Sequence, residues 1–373
     1  MTVPMAGWER VADHNPVVGF VDHNLRGAGQ VFFQNNPITG AFFLAGITYG
    51  AIDNGTWEVA LGAAVGLVVG TVTGWLLRVD RTARETGLYG YNGILVGAAL
   101  PTFLDPTARM WVYLVIGAAV SSVVMMAVAN VFKTWGTPAL TFPFVLTTWF
   151  LLLAAYSFAH VDIASLSTPA LPASPSDAAA SVDWSFDFAW DTLWRGVSQV
   201  FLLDNAVTGI LFVIGLAASS LWAAGYAVAG SAVAIGTSVA LGATETDLAE
   251  GLFGFSAVLT AIALGCTFYS PTWRAAVYAL IGVLFTVVVQ GAMDAALSPI
   301  GIPTLTGPFV FATWLFLLGK EDLRPVGHHL IRRDIGTANG AEDHARAAVT
   351  SPAQGPDGDP TGTPPRPAAR GRA

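Results

Sequence analysis

Two glutamines and two threonines are the side chains best suited to chemistry in this chain. Gln30 and Gln199 each open the tripeptide Gln-Val-Phe, with Val31 and Val200 behind them. Thr141 and Thr306 each open a Thr-x-Pro-Phe step. All four are neutral. A glutamine amide carries one acceptor oxygen and two N–H donors, and a threonine hydroxyl both donates and accepts. Leu95 and Leu259 stand at matching places beside the aromatic runs Tyr89/Tyr91 and Phe253/Phe255. Such a set lines a passage better than it performs catalysis. Glutamine and threonine oxygens, joined by carbonyls freed at the prolines, form a row of acceptors between flat apolar walls. The solute that fits is small, planar, neutral and rich in N–H donors. In a dry slot, unmatched acceptors penalise a solute that lacks those donors. Plainer roles exist for each residue: a glutamine bonding a neighbouring helix, leucines packing a core, a proline kinking a helix.

The missing groups narrow the chemistry further. The six histidines (14, 23, 160, 328, 329, 344) fall near span ends or in tails. Acidic residues also gather at ends, and only Asp204 and Asp294 are expected to lie deep. Ion-coupled carriers and pumps carry buried ionisable groups, so their scarcity favours uncoupled movement. Cys266 is the single cysteine, which excludes an internal disulfide and a multi-thiolate metal site. No nucleophile–base pair or metal-ligand cluster is expected at membrane depth, so neither enzyme chemistry, a metal nor a cofactor is expected.

The elements that must hold these residues are apolar and duplicated. The 373-residue chain is 54% hydrophobic and only 11% charged, against about 25% charged for soluble domains. Lipid must be its solvent. RGAGQVFFQNNPITG at Arg26–Gly40 returns as RGVSQVFLLDNAVTG at Arg195–Gly209. GLYGYNGILVGAAL at Gly87–Leu100 returns as GLFGFSAVLTAIAL at Gly251–Leu264, and GTPALTFPFVLTTW at Gly136–Trp149 as GIPTLTGPFVFATW at Gly301–Trp314. The offsets are 169, 164 and 165 residues, in constant order. A repeated domain of this kind places a transport pathway between its halves.

Apolar spans are expected near 16–35, 38–54, 57–78, 109–132 and 138–158, and again near 194–204, 206–223, 225–243, 272–293 and 303–319. The stretches 86–102 and 251–267 are short and glycine-rich. With Pro101 ending the first, they read as re-entrant half-spans. The fold class is therefore an all-α membrane protein of two inverted repeats, each five transmembrane helices plus one re-entrant pore helix. An odd number of crossings per half requires the inversion. The segments are 1–15 (N-terminal, without a signal-peptide pattern), 16–158 (first half), 159–193 (connector), 194–319 (second half) and 320–373 (tail). From Val161 to Leu193 the connector holds five aspartates and no Lys or Arg, whereas the tail opens with Lys320, Arg324, Arg332 and Arg333. Positive charge marks the cytoplasmic side, so the connector is expected outside and the tail inside. Arg78, Arg81 and Arg84 run against this bias. Ser167–Ser181 and the chain beyond Thr337 are poor in large apolar residues and read as disordered.

At QVFFQNNPITG, GLYGYNGILVG and LTFPF in the first half, and QVFLLDNAVTG and LTGPF in the second, the chain resembles the urea transporter family, over about residues 16–319. The resemblance implies two inverted repeats and a homotrimer with one pore per subunit in the cell (inner or plasma) membrane. It implies urea as the solute, carried downhill, with lipid as the surroundings and no nucleic-acid partner. It further implies that Gln30 and Gln199 form urea-binding steps at the two ends of the filter. Phe33, Leu95, Leu259 and Val200 would form its apolar slot, and Thr141 and Thr306 its constricted middle. The second half departs at Asn205-Ala206, where the first has Asn36-Pro37, at Ser256 in place of Asn92, and at Leu202 in place of Phe33. The alternatives are a channel for short amides or ammonia, an ion-coupled carrier, and a membrane enzyme.

Overall fold

The computed structural model describes residues 6–172 and 185–319. The chain beyond 319, and with it the expectation of a disordered cytoplasmic tail, lies outside the described residues. The first half contains α1 (Ala6–His14), α2 (Pro16–Gln30), α3 (Pro37–Asp53), α4 (Trp57–Leu76), the short α5 (Arg81–Glu85), α6 (Gly90–Phe103), α7 (Ala108–Phe132) and α8 (Phe142–Ala155). The second contains α9 (Phe186–Ser198), α10 (Ala206–Ser219), α11 (Leu221–Ala240), the short α12 (Glu245–Ala249), α13 (Gly254–Ile262), α14 (Trp273–Leu297) and α15 (Gly307–Leu318). Among the described residues there are no strands, only one isolated bridge between Leu104 and Ile163. The all-α membrane reading therefore holds at this level.

Four stretches are long and apolar enough to cross a bilayer: Trp57–Leu76, Ala108–Trp135, Leu221–Ala240 and Trp273–Ile300. The pair formed by α9 and α10 makes a fifth if the 73° bend between them is counted within one span. Large side chains point outward along α7 (Val112, Ile116, Val123, Val131) and α14 (Val277, Ile281, Val288). Their opposite faces bury small residues: Gly117, Ala118, Ser121 and Ser122 on α7, Ala275, Ala279 and Gly282 on α14. An apolar exterior over a small-residue interior is how helices pack in lipid. Where α4 crosses α6, Gly62 faces Gly97 and Gly66 faces Gly93 so closely that a Cβ on any of the four would strike the opposing carbonyl.

Several boundaries differ from those expected. Pro101 lies inside α6, which runs on to Phe103. The apolar stretches 138–158 and 303–319 are not single helices. Each opens with a non-helical segment, and α8 and α15 begin only at Phe142 and Gly307, with Pro143 and Pro308 in their first turns. The prolines therefore do not kink a helix or free a carbonyl inside one. They occupy the positions where a missing N–H costs nothing. At its start, α9 takes in Phe186–Trp194, so the short span near 194–204 is lengthened on its N-terminal side. The described part of Ser167–Ser181 is docked rather than free: Ala170 N–H donates to the Ser298 carbonyl at 3.0 Å, and Ser298 Oγ donates back to the Ala170 carbonyl at 2.9 Å.

The halves meet through reciprocal contacts. Thr39 Oγ1 donates to the Gly215 carbonyl at 2.7 Å, and its counterpart Thr208 to the Gly46 carbonyl at 3.0 Å. Trp149 Nε1 donates to the Pro303 carbonyl at 2.9 Å, and its counterpart Trp314 to the Pro138 carbonyl at 2.8 Å. Phe32 and Phe43 pack with their counterparts Phe201 and Phe212, the cross-pairs lying 6.0 and 6.1 Å apart. Contacts of the form i to j′ and i′ to j are what a two-fold relation produces.

Candidate functional site

The candidate site lies where the Gln-Val-Phe turn of the first half approaches the segment that precedes α8, with equivalent residues in the second half. After α2 the chain turns through Val31–Phe33, and Phe33 takes a left-handed φ of 63°. Its counterpart Leu202 does the same at 61°. Asn36 then caps α3, its side chain accepting from the Ile38 and Thr39 N–H groups, and Asn205 caps α10 by accepting from Thr208. A side-chain oxygen at this position satisfies donors the helix leaves open. Ala206 in place of Pro37 therefore leaves the cap intact.

Both glutamines are held in the same way. Gln30 Nε2 donates to the Thr86 carbonyl at 3.0 Å, and Gln199 Nε2 to the Glu250 carbonyl at 2.8 Å. Thr86 and Glu250 are themselves counterparts, each just ahead of a glycine with φ 74°, Gly87 and Gly251. Each amide is thus fixed through its nitrogen to a backbone carbonyl, which sets its orientation.

Thr141 and Thr306 meet. Their Oγ1 atoms are 2.7 Å apart, both buried, one from each half. Just before them Leu140 and Leu305 both adopt left-handed backbone, φ 52° and 50°. On the first-half side the threonine pair opens into a narrow void of about 10 Å³, bordered by Gln30, Val31, Phe33, Tyr91, Leu140 and Thr141. That is room for about one water molecule. The Phe33 ring is set edge-on against Phe268 and Phe309 of the other half, at 5.6 and 6.0 Å.

Of the residues expected in the pathway, the structure thus brings Gln30, Val31, Phe33 and Thr141 to one void and joins them to Thr306. Gln199, Val200 and Leu259 are buried at the equivalent places of the second half. Leu95 and Leu259 are fully buried in the shared core on α6 and α13, and Leu95 does not border the void. Tyr91 and Leu140 were not anticipated: Tyr91 Oη donates to the Leu140 carbonyl at 2.6 Å, within the void's wall. The second aromatic of the Gly-Leu-Tyr-Gly-Tyr run is the signal that pointed there.

Beyond the filter the mouths are polar. A recess of about 500 Å³ is lined by Asp22, His23, Arg26, Arg81, Glu85 and Thr86, among others. Asp22 is buried, unlike the expectation that only Asp204 and Asp294 lie deep. Its carboxylate is compensated by Arg26 Nε at 2.6 Å and by Trp8 Nε1 at 2.6 Å. Arg26 also donates to Asn35 Oδ1 at 3.0 Å, and its counterpart Arg195 pairs with Asp204, the counterpart of Asn35, at 3.2 Å. Asp204 is itself only partly buried. Burial first, then nearby Asp204 and Asp247, raises the Glu250 carboxyl above its ordinary range. The charged residues line the recess, and the residues that border the narrow void are neutral.

Comparison with known proteins shows the family. The family model described as "Urea transporter" matches residues 21–321. Urea transporter 1 of Rattus norvegicus is 34% identical over 319 residues, covering 84% of this chain and 80% of that protein. Urea transporter 1 of Ovis aries is 33% identical over the same coverage.

Proposed function

We propose that this chain, which belongs to the urea transporter family, conducts urea passively across the cell membrane through the slot between its halves. It is a multi-pass membrane protein and a transport protein rather than an enzyme. The observation that carries the reading is the 2.7 Å contact between Thr141 and Thr306, together with two glutamine amides anchored alike. A planar amide reaching the pair exchanges the threonine–threonine bond for bonds to itself, so the neutral constriction selects for N–H donors without a trapped charge. Val31 and Phe33 form the apolar walls on the first-half side, with Val200 at the equivalent place of the second, while Leu95 and Leu259 pack in the core that supports them. Weak successive sites let the solute leave as readily as it arrives.

The architecture we propose is two inverted repeats, each with five spans and a re-entrant pore helix. Reciprocal contacts between the halves support the two-fold relation, and five crossings per half would require the inversion. The 14 residues of α6 extend only about 21 Å, short of the roughly 30 Å hydrocarbon core. The connector faces outside, following the charge bias, and the family resemblance carries a homotrimer with one pathway per subunit.

The test is stopped-flow light scattering on proteoliposomes under an inward urea gradient, with empty liposomes as control. Rapid, weakly saturating flux that needs neither a sodium nor a proton gradient is the expected result. Accumulation of urea against its gradient would replace the channel by a coupled carrier. Lack of urea flux in folded, inserted protein would shift the reading to ammonia or short amides.

A further inference from the structure

The two halves are not chemically equal, and one of the differences is a buried amide. In the first half Met125 and Ala139 border the void beside Tyr91 and Thr141. The residues 165 further on are Gln290 and Thr304. Gln290 replaces a thioether by an amide and is 97% buried, with a relative exposure of 3%. Its Nε2 donates to Asp294 Oδ1 at 3.0 Å, to Asp294 Oδ2 at 3.1 Å and to Thr304 Oγ1 at 2.8 Å. A carboxylate accepts and does not donate, so it fixes which end of the amide carries the nitrogen. Gln290 Oε1 is then turned away from Asp294, buried, and without a hydrogen-bond partner among the described residues. A buried acceptor left unmet is costly.

The partners sit where a solute pathway needs them. Thr304 is two residues before Thr306, on the segment that holds the central threonine contact, and Asp294 is exposed near the end of α14. Gln290 thus links an accessible carboxylate to the segment that carries Thr306. Phe255 stands where the first half has Tyr91, so the second half has no phenol to spend on this wall.

We infer that Gln290 Oε1 is an additional acceptor for a solute N–H on the second-half side of the filter, with Asp294 as the positioning residue that holds the amide in that orientation. The inference rests on the urea-channel reading. It makes the pathway asymmetric: a solute with two amide N–H groups meets one more acceptor on the second-half side, at the position where the first half has Met125. Urea carries two such groups and acetamide one, so the urea-to-acetamide flux ratio reports on it.

The experiment compares full-length wild type with Gln290→Met, which copies the first-half residue, and with Asp294→Asn, in proteoliposomes at matched protein content. Gln290→Met is expected to lower urea flux roughly 3- to 10-fold, the effect of losing one neutral hydrogen bond, with a smaller loss for acetamide, so that the ratio falls. Asp294→Asn, whose side chain can donate to Gln290 and turn the amide round, is expected to shift the ratio the same way by less. An unchanged urea flux in Gln290→Met would overturn the inference. So would losses of urea and acetamide in equal proportion, because a purely structural role lowers both alike. In these two outcomes the wild type still conducts urea and the channel reading stands. A wild type that conducts no urea removes the channel reading and this inference together.

Discussion

Replacing the central threonines by valine separates their contribution to the fold from their contribution to the pathway. Thr141→Val or Thr306→Val keeps the shape and removes one hydroxyl of a buried pair 2.7 Å apart. The hydroxyl left behind loses its partner in a dry site, at a cost of about 1–3 kcal/mol, whereas replacing both by apolar groups of the same shape is nearly neutral. The double variant is therefore expected to be more stable than either single one, with a coupling energy of about 1 kcal/mol or more in a double-mutant cycle. Flux behaves in the opposite way. Each hydroxyl lost removes one bond worth about 1 kcal/mol to the passing solute, so single variants should slow urea about 5-fold and the double about 30-fold. Thermal unfolding in detergent gives the first quantity, and stopped-flow swelling of proteoliposomes the second. A double variant that conducts within twofold of wild type, or one less stable than both single variants, would refute the assignment of this contact to the filter.

Gln30→Leu and Gln199→Leu should each reduce urea flux at unchanged membrane expression, since each removes an anchored acceptor; wild-type flux in both would end their role. Gly87→Ala and Gly251→Ala should abolish monodisperse protein in size-exclusion chromatography, because both sites have φ 74° and an added Cβ would strike Gly27 or Gly196 backbone. Trp149→Phe and Trp314→Phe should lower stability by similar amounts, about 1 kcal/mol each, as measured by melting in detergent. A loss in only one of them would contradict the reciprocity of their bonds to Pro303 and Pro138.

The duplicated blocks made most of this arrangement legible before any coordinates, since each residue that anchors the filter lies within or directly beside one. Gln30, Gln199, Thr141 and Thr306 were readable because they recur at matching places in the duplicated blocks, and the glutamines also because that type is rare in this chain. What escaped depends on long-range geometry. Asp22 is buried because Arg26, one helical turn on, and Trp8, from another helix, supply its donors; the charge alone suggested a mouth position. Pro143 and Pro308 looked like kinks, yet nothing local says that the preceding residues leave the helix altogether. Docking of Ala170 on Ser298 follows from where the connector ends, not from its composition.

Backbone strain gives an independent sign of which positions serve the pathway. Among the described residues, five other than glycine have left-handed φ: Phe33, Arg78, Leu140, Leu202 and Leu305. Each costs on the order of 1 kcal/mol or more that glycine would spare. Arg78 lies in a surface turn, and the second half has glycine at the equivalent site, Gly242, with φ 77°. A side chain there is dispensable, and one copy has relieved the strain. At Phe33/Leu202 and Leu140/Leu305 both copies keep a large apolar side chain in spite of it. Phe33 and Leu140 border the void, and glycine at either would remove its wall. The strain is therefore retained where an apolar surface is needed beside an acceptor, which is the combination that excludes water and still rewards a planar amide.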